Sequence, residues 1–103
     1  MPMIQHTVAF KLKHEPGSAG EKEFLAAAAE LKNIPGVREF EMLRQISKKN
    51  GFDFGISMKF ETQESYNAYS GHPDHELFIK EYWLKGVEDF LEIDYISLDR
   101  HSS

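Results

Sequence analysis

The sequence predicts an α+β fold with the element order βαββαβ. Apolar and polar side chains alternate over residues 4–12 and again over residues 52–60, which is the period of a strand with one buried face. Between them, Ser18 followed by Glu21 forms a capping pattern in front of an alanine-rich stretch, which indicates a helix. The order of these elements predicts a four-stranded antiparallel sheet with the helices on one face, the split βαβ arrangement.

The first half of the chain contains three predicted strands and one helix. The helix begins after Ser18, ends at residues 33–36, and directs Phe24, Leu25, Ala28 and Leu31 to one side. A less regular second strand is predicted from Val37 to about Ile46, and Asn50-Gly51 predicts a tight turn after it. The third strand is predicted to place the following residues on one face: Phe52, Phe54, Ile56, Met58 and Phe60.

The second helical region is predicted to be broken in two. Thr62 is the expected cap of the first part, Gly71 and Pro73 end it, and Asp74 is the expected cap of a second short helix. That helix is expected to fray near Gly86, which leaves residues 87–89 as a connection. The last strand is then predicted from about Phe90 to Leu98, and residues 100–103 are expected to form a tail.

One face of this ferredoxin-like sheet has an unusual composition. The helices are expected to cover the aromatic face of the third strand and the face of the first strand that runs from Ile4 to Leu12. The opposite face carries small, uncharged residues, namely Thr7, Ala9, Gly55 and Ser57. A sheet face left in water normally carries more long charged side chains. We therefore expect a second copy of the sheet to cover this face, in a homodimer.

The bulk properties exclude several classes of protein. With 103 residues, the chain is expected to form one domain, with a core at about residues 3–98 and a tail at 99–103. A net charge of −5 argues against nucleic-acid binding, and no apolar run approaches the roughly 20 residues that cross a membrane. The absence of cysteine excludes disulfides and thiolate metal sites. Because the N-terminus lacks the features of a signal peptide, a cytoplasmic location is predicted.

Four segments together resemble the stress-responsive A/B barrel (Dabb, dimeric α/β-barrel) family. They are residues 6–12, residues 34–37, the corner at residues 69–75, and Asp94-Tyr95. The resemblance implies a ferredoxin-like protomer whose sheet packs on that of a second protomer to close a dimeric α/β barrel. This implication agrees with the dimer expected from the composition of the sheet face.

The resemblance also suggests a chemistry. In a plant polyketide cyclase of this family, a Tyr-x-x-His-Pro-x-His motif supplies a tyrosine and histidine pair that is similar to Tyr69 and His75. A histidine of its first strand is similar to His6. The cyclase has a further pocket tyrosine on its first helix, where this chain has the alanine run around Ala28. The resemblance therefore extends to the Tyr/His pair and does not extend to the substrate.

The candidate catalytic pair is Tyr69 and His75, because an imidazole can accept a proton near neutral pH and a tyrosine hydroxyl can orient it. The alternative is that His75 is a half-exposed residue bonded to backbone. His72 is a candidate ligand-binding residue, although a structural hydrogen bond at the turn is the more ordinary role for it. No metal site is predicted, since two histidines lack a third protein ligand, and no cofactor is predicted.

Three further residues are candidate ligand-binding residues. His6 lies on an apolar strand face, where it is either a satisfied core histidine or part of a pocket, and Phe24 and Trp83 are either core or pocket lining. The prediction is a protein that binds a small, partly apolar molecule in a cleft between sheet and helices. A cofactor-independent, polyketide-cyclase-like acid–base enzyme and a structural stress protein without chemistry are the two alternatives.

Overall fold

The structure, a computed structural model, describes residues 2–100 and confirms the predicted α+β, ferredoxin-like fold. Within these residues four strands form one antiparallel sheet in the order β2-β3-β1-β4. The strands are β1 (Ile4–Leu12), β2 (Arg38–Arg44), β3 (Phe54–Phe60) and β4 (Val87–Tyr95). A short 3-10 turn, Leu98–Arg100, follows β4, and residues 101–103 of the predicted tail lie outside the described residues.

The first two helices begin at the capping residues that the sequence indicates. Helix α1 (Ala19–Ala29) begins after Ser18, whose hydroxyl accepts a hydrogen bond from the Glu21 backbone, and a 3-10 turn, Glu30–Asn33, extends it. Helix α2 (Gln63–Ser70) begins after Thr62, which forms a reciprocal capping box with Ser65. These side chains satisfy backbone groups that a helix end leaves without partners.

The second helical region continues past α3 (Pro73–Phe78) without a break. A π-helical turn, Ile79–Trp83, and a last helical turn, Leu84–Gly86, carry the chain directly into β4. The predicted connection at residues 87–89 is therefore wrong, because Val87 and Asp89 already pair with β1. The predicted end of this strand at Leu98 is also wrong, since β4 ends at Tyr95.

Two turn predictions are also wrong. Residues Asn50 and Gly51 do not form a tight hairpin turn, because the link between β2 and β3 is a longer loop in which the Asn50 side chain accepts from the Phe52 backbone. Phe52 consequently lies before β3. At the helical corner the N-cap of α3 is His72 and not Asp74, since the His72 ring accepts from the Asp74 backbone and Pro73 occupies the first helical position.

The Pro35-Gly36 turn sets the start of β2. Gly36 has a φ of 93°, and the Val37 N–H donates to the Ile34 carbonyl over 3.2 Å, as in a turn with glycine at its third position. A side chain at Gly36 would also come within 3.3 Å of Ser65 Cβ. Glycine is needed here for both reasons, and the turn brings β2 against the N-terminal end of α2.

The hydrophobic core lies between the sheet and the helices. Phe10 is fully buried, and its ring lies 5.6 Å from those of Phe24 and Phe54 and 5.3 Å from that of Trp83, centroid to centroid. The remaining buried apolar residues are Leu12, Ala28, Leu31, Ile34, Ile56, Met58, Phe60, Tyr69 and Phe78. The predicted inward faces of β1 and β3 supply six of these core side chains, counting Phe10 and Phe54, so their alternation is confirmed.

The opposite face of the sheet carries exposed apolar side chains beside the small residues. In register, Ala9 lies between Gly55 of β3 and Leu91 of β4, and Thr7 lies opposite Ile93. The large side chains on this face are Leu43, Leu91, Ile93 and Tyr95, which are 38% to 51% exposed. We call this surface the outer sheet face.

In residues 2–100, no helix has the length and apolar character needed to cross a membrane.

Candidate functional site

A cavity of about 330 Å³ lies between the helix-facing side of the sheet and the second helical region. Nine of its lining residues are apolar: Val8, Leu31, Ile56, Met58, Phe78, Ile79, Trp83, Leu84 and Phe90. Four are polar: His6, Tyr69, His75 and Glu92. Leu84 and Phe90 are more than half exposed, so the cavity opens to solvent along the β4 edge of the sheet.

Strand register builds the floor of the cavity, and helices build its roof. His6 pairs with Met58 and Val8 with Ile56, which places polar and apolar floor residues side by side. The roof includes Tyr69 from α2 and His75 from α3. Because the π-helical turn Ile79–Trp83 is wider than a regular helix turn, it changes the phase of the side chains that follow. Both of its terminal residues line the cavity.

His6 is held at one edge of its ring by two groups outside the cavity. Its Nδ1 lies 2.6 Å from Asp94 Oδ1 and 2.9 Å from the Tyr66 hydroxyl oxygen, and the Tyr66 hydroxyl donates to Asp94 Oδ2 over 2.6 Å. Tyr66 donates its only hydroxyl proton to Asp94. The Nδ1–H of His6 must therefore donate to Asp94 Oδ1 and point toward the Tyr66 oxygen. This arrangement leaves Nε2 as the ring nitrogen that contacts neither Asp94 nor Tyr66.

The environment of this cluster keeps the tyrosine protonated. Burial, the hydrogen bond to Asp94 and the negative charge of Asp94 all raise the pKa of Tyr66 above its ordinary value. The carboxylate of Glu92 lies 3.5 Å from His6 Nδ1 and is half exposed. Tyr66 therefore acts as a donor that holds Asp94 in place beside His6.

Tyr69 and His75 meet ring to ring. Their centroids are 4.7 Å apart with the planes tilted by 58°. Within residues 2–100 the Tyr69 hydroxyl has no hydrogen-bond partner and His75 Nδ1 is buried without one. Burial raises the pKa of Tyr69, and the nearby Glu92 carboxylate adds to this effect. Burial lowers the pKa of His75, and a hydrogen bond with the Ser70 backbone opposes this shift only in part. His75 is therefore neutral at pH 7.

The structure brings four of the six predicted site residues to the cavity: His6, Tyr69, His75 and Trp83. The other two lie elsewhere. His72 caps α3, with its Nδ1 accepting from the Asp74 N–H over 3.0 Å. Phe24 lies in the core beyond the cavity lining, between Phe10 at 5.6 Å and Phe78 at 5.5 Å. Tyr69 contacts His75 through the ring and not through its hydroxyl.

Three polar residues in or beside the cavity are not among the site residues predicted from the sequence. The sequence pattern assigns Tyr66 to packing and Asp94 to strand pairing, and it does not single out Glu92. The available signal is that Glu92 and Asp94 share one face of a strand, and that Tyr66 lies one turn before Tyr69. Their meeting with His6 depends on the β1–β4 register, in which His6 pairs with Asp94.

The same cluster contains three side chains of the kind that bind metal ions. Ligand atoms of His6, Glu92 and Asp94 lie within 4.8 Å of one another. In this set His6 would offer Nδ1, the nitrogen that already donates to Asp94. A metal ion would have to displace that proton. The absence of a metal requirement therefore stays a prediction, and it is tested below.

Comparison with known proteins gives a consistent result. The family model of the Stress responsive A/B Barrel Domain (Dabb) matches residues 4–97 of the chain. A curated relative, a stress-response A/B barrel domain-containing protein of Arabidopsis thaliana, is 27% identical over 97 residues. The match covers 92% of this chain and 37% of that relative, so the chain spans little more than a third of the relative's length.

Solved structures share the fold. A Dabb family protein with a ferredoxin-like fold from Mesorhizobium loti is 50% identical with a TM-score of 0.92, over 95% of this chain and 99% of that one. The hydroxynitrile lyase of Passiflora edulis is 19% identical with a TM-score of 0.81, over 93% and 94%. A dimeric ferredoxin-like protein of unknown function from Thermobifida fusca is 16% identical with a TM-score of 0.77, over 93% and 92%. The last two show the fold alone.

Proposed function

The chain belongs to the stress-responsive A/B barrel domain family, and we propose that it binds a small, partly apolar molecule between its sheet and helices. The observation that carries the proposal is the cavity of about 330 Å³ with nine apolar and four polar lining residues. Sites for small molecules have this size and this composition, with a few polar groups that fix orientation. A cytoplasmic location stays a prediction that accompanies this proposal.

The polar groups of the cavity are placed to orient a ligand. The Tyr69 hydroxyl has no partner in residues 2–100, so it is free to donate, and the Asp94 contact holds His6 in one orientation. Trp83 and Phe90 form an aromatic pair in the cavity lining, with ring centroids 5.5 Å apart. A ligand that covers these rings would gain about 25 cal/mol for each Å² of apolar surface removed from water.

The experiment uses Trp83, the single tryptophan of the chain, as a reporter inside the cavity. We expect the fluorescence of Trp83 to change saturably when compact, uncharged alcohols and ketones are titrated. Val8→Phe adds bulk at the cavity floor and should abolish the change. Val37→Phe, at a partly buried position outside the cavity lining, is the matched control. A probe series that gives no saturable change would contradict the proposal and favour a structural protein without chemistry.

A second candidate function is cofactor-independent acid–base catalysis, favoured by the contact of Asp94 with His6. A carboxylate behind an imidazole fixes its tautomer and stabilises the imidazolium formed when the other nitrogen takes a proton. Neutral His75 and protonated Tyr69 lie in the same cavity as further acid–base groups. The fold likeness to a hydroxynitrile lyase is compatible with such chemistry. The test is proton exchange with deuterated solvent at a carbon beside a carbonyl, compared between the native chain and His6→Gln.

We also propose that the chain is a homodimer through the outer sheet face. The support is the set of exposed apolar residues there, including Leu91 and Ile93, and the dimeric state of structural neighbours. Ser57→Arg would bury an unpaired charge in this contact and should weaken association. Ser47→Arg in the β2–β3 loop is the control. Light scattering of the native chain at micromolar concentration that gives a monomer mass would contradict the dimer.

A further inference from the structure

In the described part of the chain, the cavity lining contains one carboxylate and no permanently positive side chain. Among the described residues that line it there is no lysine or arginine, and Glu92 contributes a carboxylate at the β4 edge. His75 offers no positive charge at pH 7, because its burial opposes protonation. A carboxylate ligand would therefore lose its hydration, lie near Glu92 and find no cationic partner, and each of these costs binding free energy.

His6 and Tyr69 offer a ligand opposite hydrogen-bonding roles, one as acceptor and the other as donor. With the proton on Nδ1 directed to Asp94, Nε2 is the ring nitrogen of His6 that is left to accept a hydrogen bond, and the Tyr69 hydroxyl is a donor. The two rings are close, with centroids 6.2 Å apart. A hydroxyl group satisfies both through one oxygen, because it donates its proton to His6 and accepts the proton of Tyr69.

Other small polar groups satisfy these two residues less completely. A ketone or ether accepts from Tyr69 and leaves His6 Nε2 without a donor. An ammonium donates to His6 and attracts Glu92, but it has no lone pair for the Tyr69 proton. Since a polar group left without a partner in a buried site costs free energy, these ligands should bind less tightly than an alcohol of the same shape.

We infer that this cavity selects uncharged molecules that carry a hydroxyl group on a compact apolar body, and that it rejects carboxylates. The inference rests on the proposed function, since it names the class of molecule that the proposed ligand cavity takes. The hydroxyl lies between His6 and Tyr69, and the apolar body lies against the aromatic side chains of Phe78, Trp83 and Phe90. Glu92 sets the discrimination against anions.

The test uses probes of one shape that do not absorb where Trp83 does. They are 4-tert-butylcyclohexanol, its methyl ether, and the cyclohexane carboxylate and amine with the same tert-butyl group. Each is titrated at pH 7 with Trp83 fluorescence as the readout, and with calorimetry as a second readout. We expect the affinity for the alcohol to be at least about tenfold higher than that for the carboxylate, and the affinities for the ether and the ammonium to lie in between.

Two variants assign the discrimination to particular residues. Glu92→Gln removes the charge at nearly constant shape, so it should reduce the ratio of the alcohol and carboxylate affinities several-fold. Glu88→Gln, on the same strand but outside the cavity lining, should leave this ratio unchanged. Tyr69→Phe should reduce the preference for the alcohol over the amine, because the hydroxyl that needs an acceptor is gone. Thermal melts of each variant check that it is folded.

Each outcome separates the two proposals. A carboxylate or ammonium that binds as tightly as the alcohol overturns the inference about ligand class and leaves the ligand cavity supported. An unchanged ratio of the alcohol and carboxylate affinities in Glu92→Gln overturns the role given to Glu92. The absence of any saturable binding by all four probes overturns the proposed function, and the inference with it.

Discussion

The helix-facing side of β1 has two ends that differ in packing, although both lie on one face of one strand. Around Phe10 the space is filled by aromatic rings, and the side chain is completely buried. Around His6, four residues earlier, the strand meets a hydrogen-bonded cluster and the polar part of a cavity. The first end supplies stability through burial, whereas the second retains polar groups and open volume that stability alone does not require.

The difference separates residues that hold the fold together from residues that we propose to contact a ligand. At the Phe10 end, removal of atoms leaves a void that the surrounding rings cannot fill. At the His6 end, a substitution changes a proton position or a cavity group and leaves most of the packing unchanged. Five measurements test this difference, and they follow in decreasing order of the change that we expect.

The greatest change is expected for Phe10→Ala. The ring is fully buried against Phe24, Phe54 and Trp83, so its removal should lower the free energy of unfolding by about 3–5 kcal/mol. Urea denaturation followed by circular dichroism measures this loss. Phe90→Ala, at a half-exposed ring, should cost less than half as much. Phe90 pairs with Phe10 in register but lines the cavity, so equal losses at the two positions would remove the distinction between a filled core ring and a ring of the cavity lining.

Tyr66→Phe should have a smaller effect on stability and a specific effect on His6. Loss of the hydroxyl removes its bond to Asp94 and should cost about 1 kcal/mol. In the native chain, nitrogen NMR of the ring should show His6 protonated at Nδ1, and the variant should show a weaker preference for that tautomer. Tyr82→Phe, at an exposed tyrosine, is the control. Protonation at Nε2 in the native chain would contradict the arrangement.

The pH dependence of stability should report on His75. Because burial lowers its pKa in the folded protein, the unfolded chain takes up this proton first as the pH falls below about 6.5. Stability present at neutral pH is therefore lost progressively down to the lowered pKa of the folded state. Thermal melts at pH 7.5 and pH 5 should show a smaller decrease for His75→Gln than for the native chain. An equal decrease would show that His75 does not contribute.

At neutral pH, His75→Ala should leave the fold nearly intact while changing ligand binding. The side chain is half-buried, so the free energy of unfolding should change by less than about 1 kcal/mol, whereas affinity for the alcohol probe should change severalfold. Tyr69→Phe separates binding from catalysis, since a pure binding site should tolerate it better than an acid–base site. If both variants unfold the chain, the pair is structural and the site assignment fails.

The least change is expected from a chelator. Because His6 Nδ1 already donates to Asp94, EDTA should leave the melting temperature of the purified chain unchanged. Addition of Zn²⁺ should likewise produce no saturable increase. A drop of several degrees with EDTA, reversed by Zn²⁺, would indicate a metal site at His6, Glu92 and Asp94 and would contradict the proposed ligand cavity.

Much of the fold follows from local features of the sequence. The alternation along residues 4–12 and 54–60 predicts which side chains of β1 and β3 are buried, since side chains of a strand point to opposite faces in turn. The caps at Ser18 and Thr62 and the turn at Pro35-Gly36 are also local, because each is settled by bonds among neighbouring residues. At residues 87–89, pairing with β1 overrides the helix-end signal at Gly86. At Asn50-Gly51, the connection is a longer loop in which the Asn50 side chain accepts from the Phe52 backbone.

Residues close together in the chain specify the strand faces, the capped helices and the corner that carries Tyr69 and His75, so the amino-acid pattern alone predicts these features. The folded arrangement is needed to show that Tyr66 and Asp94 hold His6, that Glu92 joins the cavity lining, and that two of the predicted site residues lie outside it. The hydrogen bonds that hold His6 and Asp94 join residues 28 to 88 positions apart. They depend on the register of β1 with β4, which joins strands at opposite ends of the chain, and the cavity lining depends also on the phase change at a π-helical turn.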